Sequence, residues 1–116
     1  MPQYSEHKKL TATEFNSLMT MAIQQSFNGI VITDACFENN GPHILFCNPA
    51  FCEMTGYSEE ELIGQSPRIL QGPETDLSVI QELKDCISNG LFFHNNTINY
   101  RKDKTPYAVE WNISPI

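Results

Sequence analysis

Long apolar runs are missing from this chain. Neither the N-terminal segment nor any later window has the unbroken stretch that a signal peptide or a membrane span requires. Positive charge is scarce: seven Lys and Arg stand against fourteen Asp and Glu, a formal net charge of −7. With no basic run to displace counterions, nucleic acid and anionic membranes are disfavoured as main partners. Cys36, Cys47, Cys52 and Cys86 form no CxxC pair, and the step from Cys47 to Cys52 is the wrong spacing for a zinc clip. His7, His43 and His94 lie apart without metal-ligand spacing, and there is no GxSxG, P-loop or GxGxxG. These absences describe a non-enzymatic chain that is cytoplasmic, or the cytoplasmic part of something larger.

What is present describes a packed globule. A chain of 116 residues fits one domain, large enough to bury about two-thirds of its unfolded surface. The hydrophobic share of 41%, with Trp111 and seven Phe, argues against disorder. Cys47 and Cys86 read as small buried hydrophobes, and His43 and His94 as strand histidines on solvated or satisfied sites. Glu59-Glu60-Glu61 reads as a solvated helix face.

Phe15, Leu18, Met19, Ala22 and Ile23 recur at helical spacing, with Thr11 or Thr13 as cap and an end near Ser26. Gly29 to Asp34 is a β-branched run of strand length, and across the turn cluster Asn39-Asn40-Gly41-Pro42 the segment His43 to Cys47 completes a hairpin. Asn48 with Pro49 opens a short helix. Ser58 and Glu61 have capping-box spacing before Leu62 and Ile63, and Gly64 supplies the stop. Leu77, Ile80, Leu83 and Ile87 space as another helix. Leu91 to Tyr100 and Thr105 to Pro115 form a second hairpin, with Tyr107, Val109, Trp111 and Ile113 alternating inward. The order helix, two strands, helices, two strands is α+β with an antiparallel sheet.

The run from Cys47 to Gly64 resembles the core of PAS domains, the small sensory modules of signalling proteins. The resemblance implies a five-stranded antiparallel sheet flanked by short helices, with the fifth strand between the first and the fourth. The sequence ends directly after the fourth, so a PAS sensor domain over 13–116, behind a tail over 1–12, is expected to be a fragment of a larger protein. The next segment, Gly64 to Asp76, is similar to the light-oxygen-voltage branch, in which a cysteine thiol adds to an excited flavin. Pro67 stands at that position and has neither thiol nor N–H.

By the same resemblance, Arg68 and Lys84 stand where that branch holds a flavin phosphate, and Gln71 and Asn99 where it bonds the ring edge. Ser66 and Val109 replace two asparagines of the site. Glu61 and Lys102 occupy the positions of a salt bridge across the pocket's mouth. The implied function is a bacterial sensory module regulating an attached histidine kinase or cyclic-di-GMP enzyme through ligand, redox or dimerisation changes. Two alternatives stand beside it: a ligand-free dimerisation module, and a flavin (FMN or FAD) redox sensor without photochemistry. The homodimer contact would be the N-terminal helix or the sheet.

Overall fold

The computed structural model describes residues 10–115. Helix α1 spans Ala12–Gln25, and strands β1 (Val31–Thr33) and β2 (Ile44–Cys47) follow. Helices α2 (Pro49–Thr55) and α3 (Glu59–Leu62), a 3-10 turn (Pro67–Leu70) and α4 (Leu77–Ser88) make the middle. Strands β3 (Phe93–Tyr100) and β4 (Pro106–Ile113) complete the described chain.

Local chemistry sets these boundaries. Thr11 caps α1 in a reciprocal box with Glu14, and Ser58 and Glu61 do the same for α3. Asn48 caps α2, with Pro49 at its first position, and α2 ends at Gly56, whose φ of 79° suits a residue without Cβ. Asp76 caps α4 through Ser78 N and Val79 N.

Strand β1 is shorter than the β-branched run predicts, and at its start the Ile30 N–H turns to a side chain. Its N–H donates to Asn48 Oδ1 at 2.8 Å, and its carbonyl accepts from Asn48 N at 3.0 Å. Cys47 is buried as expected, whereas Cys86 is only half-buried, since α4 lays one face on β3.

The strands form two antiparallel ladders, β1–β2 and β3–β4, with no hydrogen-bonded ladder between them among the described residues. In the second, Thr97 faces Val109 and Asn99 faces Tyr107. The inward alternation of β4 is as the sequence predicts, with Val109 buried and Tyr107, Trp111 and Ile113 half-buried. One core cluster joins Ile44, Cys47, Phe51, Leu62 and Leu70. Val79, Phe93 and Val109 are buried around α4 and the second ladder.

The β3–β4 turn ties the second ladder to the helices of the middle. Lys102 N donates to Thr55 O at 2.9 Å and Arg101 Nε to Met54 O at 3.2 Å. Lys102 Nζ donates to Glu61 Oε2, so the expected bridge between α3 and the hairpin is formed. Both partners are substantially exposed, so the pair orients the hairpin more than it stabilises the fold.

Candidate functional site

The inner face of the β3–β4 ladder is built by strand alternation. Phe93, Thr97 and Asn99 of β3 share it with Tyr107, Val109 and Trp111 of β4, and α4 covers part of it. The edge of β3 is sealed by the loop before α4. Thr75 Oγ1 donates to Ile98 O at 2.6 Å and accepts from Gly72 N at 2.9 Å. Asp76 N donates to Thr97 Oγ1 at 2.7 Å, and Glu74 N to Tyr100 Oη at 3.0 Å.

Of the four residues singled out from the sequence, Asn99 has the most telling environment. It is 3% exposed, and its Oδ1 is buried with no hydrogen-bond partner among the described residues. Tyr107, directly opposite, also buries an unpartnered hydroxyl. Burial raises the Tyr107 phenol above its ordinary pKa, although the nearby Asn99 amide and the Arg101 charge pull the other way. The two side chains are close, yet not in hydrogen-bond geometry. Buried polar atoms are rarely left unpaired, and these two are the exceptions among the described residues.

Arg68 and Lys84 meet the same structural feature, the connection between β1 and β2. Arg68 Nη2 donates to Gly41 O at 2.9 Å, and Lys84 Nζ lies 5.5 Å from the centroid of the Phe37 ring. Both cations are exposed. Gln71 is half-buried at the end of the 3-10 turn, next to Gly72, which abuts the Tyr100 ring. No hydrogen bond links any two of the four among the described residues. The structure therefore presents two cations, one from the 3-10 turn and one from α4, against one loop, and an orphaned amide oxygen on the sheet.

This donor set fits a flavin nucleotide in part. The exposed cations suit a phosphate, and the Asn99 carbonyl suits a ring N–H. Val109, 7% exposed opposite Thr97, offers only alkyl surface, and the Thr97 hydroxyl already accepts from Asp76 N. Pro67 opens the 3-10 turn, so no thiol stands there.

Tyr107 is the residue that sequence reasoning missed as a polar group. It was legible only as an inward position of β4, although a phenol at such a position needs a partner for its hydroxyl. Two shallow, open surface depressions lie elsewhere, one along α1 at Thr13, Asn16 and Met21, the other at Gly56 and Arg101–Asp103.

The two described histidines make local contacts. His43 bonds Asp34 Oδ2 through Nδ1 at 3.1 Å and Asn39 O through Nε2 at 3.0 Å, and His94 lies at the surface 3.5 Å from Glu110. His7 is outside the described residues. Among the described residues no group of three or more His, Cys, Asp or Glu could hold a metal ion, and no helix is long and apolar enough to cross a membrane.

Comparison with known proteins gives the family. The model of the PAS domain family matches residues 28–116. Phototropin-2 of Oryza sativa subsp. japonica is 37% identical over 95 residues, covering 82% of this chain and 10% of that protein. The nitrogen fixation regulatory protein of Klebsiella oxytoca is 33% identical over 94 residues, 81% of this chain and 18% of its own length. The chain thus spans a small part of these relatives. Among solved structures, the LOV domain from the Erythrobacter litoralis EL346 blue-light activated histidine kinase has a TM-score of 0.70 at 28% identity, covering 76% of this chain and 79% of that one. An RNA-binding light-oxygen-voltage receptor has a TM-score of 0.83 over 100% of this chain and 31% of its own, at 23% identity, a likeness of fold alone. Family model, relatives and fold agree: this chain belongs to the PAS domain family, close to its light-oxygen-voltage branch.

Proposed function

We propose that this PAS domain is the ligand-sensing module of a longer bacterial signalling protein, with residues 1–12 as its tail and 13–116 as the sensor. It would regulate an attached histidine kinase or cyclic-di-GMP enzyme in the cytoplasm, and it is not itself catalytic. The observation that carries this is the orphaned Asn99 carbonyl on the inner face of the second ladder. A ligand donating to it removes the cost of an unmade buried hydrogen bond, on the order of 1–3 kcal/mol, so occupancy and the order of the sheet are coupled.

The ligand that the residues suit best is a flavin, FMN or FAD. Arg68 and Lys84 would take its phosphate, and Gln71 and Asn99 its ring edge. A bound flavin supplies a redox-active ring. With Pro67 in place of the thiol, the chain's response would be redox-linked rather than a cysteinyl photoadduct. Signal would leave through the sheet and flanking helices, whose hairpin is pinned to α2 and α3 by Arg101 and Lys102. Nucleic acid has no role in this reading.

The test is an absorbance spectrum of the natively purified protein, with heat-released supernatant assayed for flavin. Near-stoichiometric flavin supports the reading. A colourless protein that takes up no added flavin removes the cofactor from it.

A second reading, a ligand-free dimerisation module, is favoured by α1. No residue of that helix is buried, and Phe15, Leu18, Met19 and Met21 are 45–54% exposed. Such a stripe needs cover, and a second copy of the chain would provide it.

A further inference from the structure

We propose that the Tyr107 hydroxyl is a second ligand-recognition group beside Asn99, so that the pair selects a planar ring edge carrying an N–H next to a carbonyl oxygen. The inference rests on the ligand reading above and deepens it by naming the chemistry of the guest.

Four observations support it. Asn99 and Tyr107 are direct cross-strand partners, so their side chains leave the same face of the ladder side by side. Both end in a buried polar atom with no partner among the described residues. The Tyr107 ring is held in place, because the Arg101 guanidinium sits 4.9 Å from its centroid. Arg101 is itself fixed by Met54 O at 3.2 Å, Thr105 Oγ1 at 3.2 Å and Pro106 O at 3.3 Å. The neighbouring pair is poorer in polar groups: the Thr97 hydroxyl already accepts from Asp76 N, and Val109 is alkyl.

The guest's chemistry follows from the inventory of donors and acceptors. The Asn99 carbonyl only accepts, whereas the phenol donates and accepts. A lactam or imide edge answers both, its N–H to Asn99 and its carbonyl oxygen to the Tyr107 O–H. It answers equally well with the Asn99 amide turned over, because it carries both kinds of group. An aliphatic guest would leave both atoms unpaired. The imide edge of a flavin belongs to the favoured class, and Tyr107 would then supply the hydrogen bond that Val109 cannot.

The experiment is titration of flavin mononucleotide, and separately of riboflavin, into wild type and Tyr107→Phe, followed by flavin fluorescence. Thermal melts of both proteins without ligand accompany it. The expected result is roughly tenfold weaker binding of both flavins by the variant. Its ligand-free melting temperature should rise, since an unpartnered buried hydroxyl has gone. Equal affinity of wild type and variant overturns the proposal, as does a lower ligand-free melting temperature, which would mean the hydroxyl already has a protein partner. Failure of wild type to bind either flavin overturns the ligand reading and this proposal with it. Riboflavin separates the ring edge from the phosphate: if riboflavin binds and depends on Tyr107 while the phosphate adds nothing, Arg68 and Lys84 lose their role and Tyr107 keeps its own.

Discussion

Asn48 has no exposed surface and uses every hydrogen-bonding position of its amide. Its Oδ1 accepts from Ile30 N at 2.8 Å and Phe51 N at 3.0 Å, and its Nδ2 donates to Ile23 O and Asn28 O at 2.9 Å each. One side chain thus joins the end of α1, the entry to β1 and the start of α2. Asn48→Ala removes a helix cap and strands several buried backbone groups, so chemical denaturation should show a loss of about 2–4 kcal/mol. The role as cap was legible from Asn48-Pro49. The two donations were not, because their acceptors lie 25 and 20 residues away and only the fold brings them near. The two tyrosines of the second ladder make a contrast at the same scale. Tyr100 accepts a hydrogen bond from Glu74 N, so Tyr100→Phe should cost about 0.5–1.5 kcal/mol by the same assay. Tyr107→Phe should stabilise the ligand-free protein.

Between residue and molecule, the segment Gly72–Asp76 acts as a unit that seals the edge of β3. Gly72 lies so close to the Tyr100 ring that an added methyl would overlap it. Because the Tyr100 hydroxyl is engaged by the same loop, the ring cannot swing away freely. Gly72→Ala should therefore destabilise by about 1–3 kcal/mol and raise amide exchange in β3, measured by hydrogen–deuterium exchange. Asp76 ends this segment and starts α4. Hydrogen bonds from the Ser78 side chain, and then from the Ser78 backbone, hold its carboxyl below the usual range. A carboxyl with a lowered folded-state pKa contributes stability above its unfolded pKa, and that contribution is lost as pH falls through the folded value. Melting temperature should thus fall on acidification from neutral pH to below about pH 4. The gap between wild type and Asp76→Ala should narrow over that range; a gap that stays constant would deny Asp76 this role. The helices were legible because their caps are local, as Thr11 with Glu14 and Ser58 with Glu61 show. The length of β1 was not, since the Ile30 N–H turns to a side chain that follows it by 18 residues.

At the scale of the whole molecule, two ladders with no hydrogen-bonded pairing between them among the described residues share one set of short helices, and α1 leaves its apolar side chains largely uncovered. The layout was legible through the likeness of Cys47–Gly64 to a known core; the state of the site was not. Sequence places Arg68, Lys84, Gln71 and Asn99 by analogy, but which polar atoms lack partners depends on side-chain packing that no spacing encodes. If α1 makes a dimer contact, light scattering should report a dimer for wild type and a monomer for Phe15→Glu combined with Met19→Glu. A monomer in both cases would remove the second reading. The central claim is that the Asn99 side chain receives the ligand, and its most direct test is a two-dimensional nitrogen–proton correlation spectrum recorded during titration with flavin mononucleotide. Saturable shifts of the Asn99 side-chain amide, together with the backbone amides of Thr97 and Val109, are predicted. A titration that leaves the Asn99 amide unmoved while flavin binds, or that moves nothing at all, would contradict it.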